Sequence, residues 1–321
     1  MSTYGVKAAA TFPKSFLSSL VFMKHTLGAD GVESSLSTRV GGVSKAHFLT
    51  KAKHQQKPPL QVAHVKALEE VVINGRYEDR KFDDQDRYAA GVFLWMVYAR
   101  ARFSDGQNSG GIFRDVHQTR DGPKGYLEAL VERSKTSFSL ERKVRWLPMI
   151  APIYGLLSES WAIAWLDRAE LSGPKLGIGR PLLPGYAQDY GWGEVPISAE
   201  AGGKWLRSLL YKCGFDPAVV KQYGTHSLKS TTLSWCAKYG MTRITRATLG
   251  YHSKGRNGTE MIYGRDNIAA PVRELEDILQ RVMTGRFRPD ASRSGYLAPE
   301  DEISDSSESS GDEEAPEHSE E

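Results

Sequence analysis

The sequence predicts a mainly helical α+β fold that carries a small β-sheet or hairpin. Several segments of the chain place apolar residues at helical spacing. Two short apolar runs, at residues 126–131 and 144–150, have the length and composition of paired strands. A hydrophobic fraction of 40% and seven Trp in 321 residues can form a sizeable core. Helices are therefore expected to form most of the structure, with one hairpin beside them.

The first 56 residues have a mixed character. Residues 16–27 favour a short helix that ends at Gly28. Gly and Ser dominate residues 31–44, which favours a loop. We therefore predict a partial, partly disordered N-terminal segment over residues 1–56, followed by a main domain over residues 57–285.

The main domain begins with two predicted helices, over residues 60–72 and 84–102. Asp84 or Asp86 can cap the second helix, whose wide apolar stripe indicates a buried position. The two predicted strands come next. After them we expect a helix over residues 156–171 and a long loop over residues 172–196, which are rich in Gly and Pro. Helices resume over residues 198–213, 227–239, 242–249 and 272–283.

Charge is distributed unevenly along the chain. The total is 42 Lys+Arg against 39 Asp+Glu, but residues 300–321 contain 11 of the acidic residues and none of the basic ones. Residues 1–299 therefore hold 42 basic against 28 acidic side chains, a net charge of +14. Such a basic body suits a polyanion, although net charge alone reports only on non-specific association or solubility. Residues 286–321 are predicted to be a disordered acidic tail, because they offer little apolar surface to bury.

Several classes of protein are disfavoured by the composition. The two cysteines, Cys213 and Cys236, lie in apolar helical segments without metal-ligand spacing, which predicts buried thiols and no metal site. No apolar run reaches the 18 residues of a membrane span, and no secretory signal pattern is present. We expect an intracellular protein that needs no metal.

Polar residues in a particular order point to chemistry on a phosphate. His226 and Lys229 stand three residues apart at a predicted helix start, His252 follows a Leu-Gly turn, and Tyr263 comes 11 residues later. Far upstream, Arg102 is followed after two residues by an acid. Phosphoryl transfer requires cations around the phosphate oxygens and control of protons. A site without metal must take that charge from Arg, Lys and His.

This order resembles the C-terminal half of the tyrosine recombinases, the phage-integrase-like family, and in particular their eukaryotic transposon-encoded, crypton-like branch. The resemblance covers residues 57–285. It implies a tyrosine-recombinase-like catalytic domain that breaks and rejoins double-stranded DNA through a 3′-phosphotyrosine intermediate. It also implies self-association on the DNA and a location in the nucleus.

The resemblance assigns four residues to the scissile phosphate. Arg102 would hold it with a planar fork of donors. His226 and Lys229 would contact it from one face of a helix N-terminus, and His252 would donate to a non-bridging oxygen. Arg102 also has an ordinary reading as part of a solvated helix C-terminus, and His226 has one as a helix-capping or core histidine.

Two further roles follow from the resemblance. Lys135, in the connector between the two predicted strands, would protonate the leaving 5′ oxygen. Tyr263 would be the nucleophile, and since a tyrosine hydroxyl has a pKa near 10, it needs neighbouring cations to attack at neutral pH.

The sequence departs from the family pattern in three places. Lys229 stands where the family has arginine, Tyr251 is an additional residue in the Leu-Gly-His motif, and residues 1–56 are short for a complete helical core-binding domain. These departures suit a remnant of a mobile-element recombinase. They keep open a catalytically weakened or inactive DNA-binding protein. A type IB topoisomerase fits less well because its architecture is longer, and a further alternative is an interaction module whose acidic tail contacts basic partners such as histones.

Overall fold

The computed structural model describes residues 12–50, 56–131, 147–251 and 265–299. The chain divides into two compact units, Met1–Gln56 and Lys57–Glu321. In the described parts of the chain, helices predominate and each sheet consists of two or three antiparallel strands. The predicted mainly helical class with a small β-sheet is therefore confirmed.

The described part of the first unit consists of helices. Helix α1 (Phe12–Leu27) ends at Gly28, as predicted, where φ is 65°. A short 3-10 helix (Ser34–Leu36) and helix α2 (Thr38–Thr50) follow. The predicted loop over residues 31–44 is wrong from residue 38 onward, because the two glycines in this stretch weaken a helix by only about 1 kcal/mol each and do not abolish it.

The second unit is built around one buried helix. Helix α3 (Val62–Asn74) leads through the short strands β1 (Arg76–Tyr77) and β2 (Arg80–Lys81) to helix α4 (Asp84–Tyr98). Every residue from 88 to 100 is buried, which confirms the expected wide apolar stripe. Helix α4 ends at Tyr98, however, and not near residue 102 as predicted. Helix α5 (Phe103–Gln107) starts there instead.

The predicted pair of strands belongs to a three-stranded sheet. Strands β3 (Ile112–Thr119), β4 (Gly122–Val131) and β5 (Leu147–Pro152) are antiparallel in the order β3-β4-β5. The pairing of β4 with β5 confirms the predicted hairpin. Strand β3 has no fully buried residue, so its sequence lacks the apolar alternation that would have revealed it. The connector, residues 132–146, lies outside the described residues.

Helices and a hairpin form the rest of the unit. Helix α6 (Trp161–Ser172) packs beside α4, where Gly91 leaves room for Trp165; a Cβ at Gly91 would stand 2.1 Å from the Trp165 ring. The predicted long loop contains strands β6 (Pro184–Ala187) and β7 (Gly191–Pro196). The remaining helices are α7 (Ala199–Lys212), α8 (Pro217–Val220), α9 (Thr225–Tyr239) and α10 (Arg243–Leu249).

The end of the described chain is ordered farther than its composition suggests. Helix α11 (Ala269–Met283) confirms the predicted last helix and precedes strands β8 (Phe287–Arg288) and β9 (Tyr296–Leu297). The prediction of disorder is wrong for residues 286–299. Phe287 is buried with its ring 5.3 Å from that of Tyr239, and Asp290 accepts a 2.6 Å hydrogen bond from the Val62 amide. Residues 300–321 lie outside the described residues.

Candidate active site

Helix α4 ends in a left-handed turn that places an arginine inside the protein. Arg100 has a φ of 51° and no exposed surface. Its guanidinium donates to the carbonyl oxygens of Tyr98 and Leu249, the second at 3.1 Å, and to the hydroxyl of Tyr251 at 3.2 Å. The C-terminal end of α4 is thereby joined to the C-terminal end of α10.

Tyr251, the additional residue of the third motif, connects three elements. It follows α10 with a φ of 56°. Its hydroxyl accepts hydrogen bonds from Arg100 and from the Ile150 amide of strand β5, the latter at 3.3 Å. The face of its ring lies 5.7 Å from the Arg100 guanidinium carbon and 5.9 Å from the Lys229 amine. Tyr251 thus brings together the ends of α4 and α10 and the three-stranded sheet.

Lys229 lies in the second turn of α9, and its side chain reaches the C-terminal end of α10. Its amine donates to the Gly250 carbonyl oxygen at 2.8 Å. Burial lowers the pKa of Lys229 to about 8, and the positive charges of Arg102 and Arg100 act in the same direction, while Asp105 opposes them. Lys229 therefore carries a charge that can be lost close to neutral pH.

Like Lys229, Arg102 is partly exposed to solvent. It stands at the N-cap of α5 in an extended conformation, and its side chain is 34% exposed. It pairs with Asp105 at 3.7 Å, and its charge acts on Lys229. Two of the predicted site residues, Arg102 and Lys229, are therefore brought together by the packing of α9 against α5 and α4.

His226 opens to solvent at the start of α9. It is exposed and stands three residues before Lys229, on the same side of the helix. The Arg207 guanidinium donates to the Tyr223 carbonyl at 3.0 Å, close to this helix start. Among the described residues, no hydrogen bond or ion pair joins His226 directly to Arg102 or Lys229. His226 lies beside the cationic group but is not bonded to it.

The electrostatic character of the site follows from these positions. Arg100, Arg102 and Lys229 form the group that we call the cationic cluster, and Asp105 is the carboxylate that acts on its lysine. Like charges brought this close repel one another when nothing binds between them. An anion at the exposed side of the cluster relieves that repulsion, so the arrangement favours binding of a phosphate.

Three predicted residues, Lys135, His252 and Tyr263, lie outside the described residues, and their roles stay predictions. Their neighbours in the sequence belong to this region. Strands β4 and β5 pair as far as Val131 and Leu147, three residues from Ile150. At about 3.4 Å per residue, the connector that holds Lys135 leaves the sheet roughly 10 Å from the Ile150 amide that contacts Tyr251.

The sequence did not identify Arg100 and Tyr251 as parts of the site. Both stood inside motifs that the family resemblance singled out, but the family pattern gives them no role. Their importance depends on left-handed backbone angles and on side-chain contacts between distant segments. An unusual residue within a recognised motif, such as the additional Tyr251, was the one available signal.

In the described parts of the chain, no group of His, Cys, Asp and Glu is arranged to hold a metal ion. The helices described there are too short or too polar to cross a membrane. The described cations at the candidate site are Arg100, Arg102 and Lys229.

No protein-family model and no curated protein sequence matches this chain. Solved structures with partial similarity include the XerH site-specific recombinase bound to its difH substrate before cleavage, at 9% identity and a TM-score of 0.37 over 80% of this chain and 71% of that one. The XerH post-cleavage complex with palindromic difH gives 12% identity and a TM-score of 0.42 over 84% and 73%. The FLP recombinase–Holliday junction complex gives 14% and 0.40 over 92% and 63%. At these TM-scores, the alignments do not define the family of this chain.

Proposed function

We propose that this protein breaks and rejoins double-stranded DNA through a 3′-phosphotyrosine intermediate, in the manner of the tyrosine recombinases. The observation that supports this proposal is the cationic cluster at the end of α10. The cluster directly precedes the segment that holds His252 and Tyr263 in the sequence. A phosphodiester transfer needs such charge around its non-bridging oxygens. Because the cluster is partly buried, its charges are screened less than surface charges.

In the proposed reaction, the Tyr263 oxygen forms a bond to the scissile phosphorus while the bond to the 5′ oxygen breaks. His226 accepts the tyrosine proton, and Lys135 donates a proton to the leaving 5′ oxygen. Arg102, with its exposed guanidinium, binds two phosphate oxygens. Attack of a 5′ hydroxyl on the phosphotyrosine reverses these steps and restores the phosphodiester, so no nucleotide cofactor is consumed.

The proposal extends to the setting of the reaction. The net charge of +14 over residues 1–299 supports a duplex DNA substrate. Self-association on the DNA, an origin in a mobile element and action in the nucleus are further parts of the proposal. They follow from the resemblance in residues 57–285.

A second candidate function is DNA binding without cleavage. One observation favours it: the Lys229 amine is engaged by the Gly250 carbonyl, whereas a recombinase arginine in this position would offer several donors to the phosphate. On this reading, the cationic cluster binds the DNA backbone and the chemistry has been lost.

Covalent capture on nicked duplex DNA separates the two functions. A nick placed just downstream of the cleaved phosphate lets the short product diffuse away, so a phosphotyrosine adduct accumulates and migrates slowly on a denaturing gel. We expect the wild type to form it and Tyr263→Phe to form none, because phenylalanine lacks the attacking oxygen. DNA affinity should change by less than about twofold, since one hydroxyl is lost.

The matched control is Tyr190→Phe, at a tyrosine that is 91% exposed and lies between strands β6 and β7. This variant should form the adduct at the wild-type rate. Equal adduct from Tyr263→Phe would place the nucleophile elsewhere. Absence of any adduct from the wild type between pH 7 and 9, together with tight DNA binding, would favour the second candidate function.

A further inference from the structure

Among non-glycine residues, left-handed backbone is concentrated at the cationic cluster. In the described parts of the chain, the non-glycine residues with positive φ are Glu78, Arg100 and Tyr251. Two of these three are hydrogen-bonded to each other through their side chains. A left-handed conformation disfavours residues with a Cβ, and it persists where surrounding contacts hold it in place. Glycine would meet the backbone requirement at lower cost, so the side chains of Arg100 and Tyr251 have a role of their own.

Arg100 is also unusual as a buried cation. It remains charged at any physiological pH, yet among the described ion pairs it has no carboxylate partner. Its partners are the carbonyl oxygens of Tyr98 and Leu249 and the hydroxyl of Tyr251. Burying a guanidinium is unfavourable unless its donors are satisfied. Here the bonds to Leu249 and Tyr251 reach the end of α10.

The last carbonyls of α10 are held from two sides. Arg100 binds the Leu249 oxygen from the end of α4, and Lys229 binds the Gly250 oxygen from α9. The Tyr251 hydroxyl then ties the next residue to Arg100 and to the Ile150 amide of β5. Three consecutive residues are thus fixed to three separate elements, which is more than the end of a seven-residue helix requires for its own stability.

We propose that Arg100 and Tyr251 are positioning residues of the phosphoryl-transfer site. By fixing residues 249–251, they set the point from which the chain continues into His252. Lys229 shares this task through the Gly250 carbonyl. This inference rests on the proposed function and deepens it, because it assigns a catalytic consequence to two residues outside the family pattern.

Two substitutions test the proposal with matched controls. Tyr251→Phe removes the hydroxyl and keeps the ring, and Tyr126→Phe removes a hydroxyl that bonds to Glu276 elsewhere in the same unit. Arg100→Gly removes the guanidinium while it relieves the left-handed strain. Glu78→Gly relieves the same strain at an exposed turn away from the cluster. A cooperative thermal unfolding transition, measured for each variant, shows whether that variant folds.

The measurements are the rate of adduct formation at saturating nicked DNA, the DNA concentration for half-maximal rate, and amide hydrogen exchange at Gly250 and Tyr251. Those amides donate to the carbonyls of Arg246 and Thr248 at 2.9 and 3.0 Å. We expect Tyr251→Phe and Arg100→Gly to slow adduct formation by about tenfold to a hundredfold, since small misplacements of reacting groups have effects of that size. Exchange at 250–251 should become faster, and for Tyr251→Phe, which keeps every charge, the half-maximal DNA concentration should stay within about twofold of wild type.

The controls Tyr126→Phe and Glu78→Gly should leave the adduct rate and the exchange at 250–251 unchanged. An unchanged adduct rate in Tyr251→Phe would overturn the positioning role even if exchange accelerates, because the contacts would then be purely structural. Unchanged hydrogen exchange would overturn the claim that Arg100 and Tyr251 fix residues 249–251. A wild type that forms no adduct refutes the proposed function, and the exchange data then still decide whether these two residues hold the end of α10 in place.

Discussion

Lys229 shows at the residue scale what the choice of lysine over arginine does. Its amine is half-buried, bonds to the Gly250 carbonyl and faces the Tyr251 ring. Burial is the largest influence that lowers its pKa to about 8, and Arg102 is the next. An arginine would stay charged over the whole physiological range. The lysine therefore makes the charge of the cluster depend on pH.

This charge predicts a pH dependence of DNA affinity. Below pH 8 Lys229 is protonated and attracts the phosphates; above pH 8 it becomes neutral and the attraction is lost. A unit charge a few Å from a phosphate is worth about 1 kcal/mol in surroundings like water, which is about fivefold in affinity. We expect the wild type to weaken by about that factor between pH 7 and 9 at constant ionic strength, measured by anisotropy with labelled duplex DNA.

Lys229→Arg should abolish this pH dependence, because its guanidinium does not deprotonate. The control is Lys204→Arg, at an exposed lysine that pairs with Glu200 in α7; it should keep the wild-type response. If Lys229→Arg and the wild type weaken alike, the charge of Lys229 is not felt by the DNA. The cluster would then serve to hold the protein together and not to bind an anion.

At the scale of elements, a buried carboxyl anchors the helix that ends at Arg100. Glu69 of α3 is fully buried and accepts hydrogen bonds from the Tyr98 hydroxyl and, at 3.0 Å, from the Leu156 amide. A Cβ at Gly155 would stand 1.8 Å from a Glu69 oxygen, so the loop there must carry a glycine. Burial raises the pKa of Glu69 to about 7. Since Tyr98 is two residues from Arg100, this anchor supports the candidate site from within.

The raised pKa of Glu69 predicts how stability depends on pH. The ordinary value is 4.5, and the folded protein holds the proton up to about pH 7. The contribution of Glu69 to the free energy of unfolding is therefore fully present below pH 4.5. It declines until pH 7, where Glu69 also ionises in the folded state. Glu69→Gln keeps a hydrogen-bonding side chain of the same size but does not titrate. Between pH 4.5 and 8, the wild type should lose about 3 kcal/mol of unfolding free energy relative to this variant.

Urea unfolding of both proteins at several pH values measures this difference. Burial lowers the pKa of His64 to about 4, so His64 contributes stability above pH 6.5 that is lost as the pH falls toward 4. That opposing change occurs in both proteins and cancels in the comparison. If the free energies of unfolding of wild type and Glu69→Gln change with pH in parallel, the pKa of Glu69 is the same in the folded and unfolded chains, and the prediction is wrong.

The elements also show what the sequence could predict. Helices with strong apolar periodicity, such as α4 and α11, were found because their pattern is set by the core they face. Strand β3 was missed, since its pairing with β4 depends on backbone hydrogen bonds and not on apolar alternation. The hairpin at residues 286–299 was missed because one buried ring, Phe287, offsets a polar composition.

The site was predictable to a similar degree. Arg102 and Lys229 were chosen by residue type and order, and the structure brings them together. Arg100 and Tyr251 could not be chosen that way, because their role depends on positive φ angles and on contacts between segments about 150 residues apart in the sequence. Local patterns do not encode such contacts. The predicted roles of all six residues stay predictions: Arg102, Lys135, His226, Lys229, His252 and Tyr263.

At the scale of the whole molecule, the chain combines a long basic part with a short acidic part. Residues 1–299 have a net charge of +14, and the 11 acidic residues of positions 300–321 reduce the total to +3. A tethered polyanion competes with DNA for basic side chains, because its effective concentration near them is high. We therefore predict that residues 300–321 oppose the binding of DNA to the basic part of the chain.

Removal of residues 299–321 should therefore tighten non-specific DNA binding. At about 10 mM salt, where charges act over about 30 Å, we expect roughly tenfold tighter binding of a random duplex. At about 150 mM salt, the range falls to about 8 Å and the difference in affinity should shrink.

A full-length variant in which the 11 acidic residues become Asn or Gln separates charge from length, and its DNA affinity should match that of the truncated protein. If truncation tightens binding and the neutralised variant does not, the bulk of the tail is responsible. If neither changes DNA binding and the full-length protein alone captures a basic histone-like peptide, the tail serves basic protein partners and the body binds DNA independently of it.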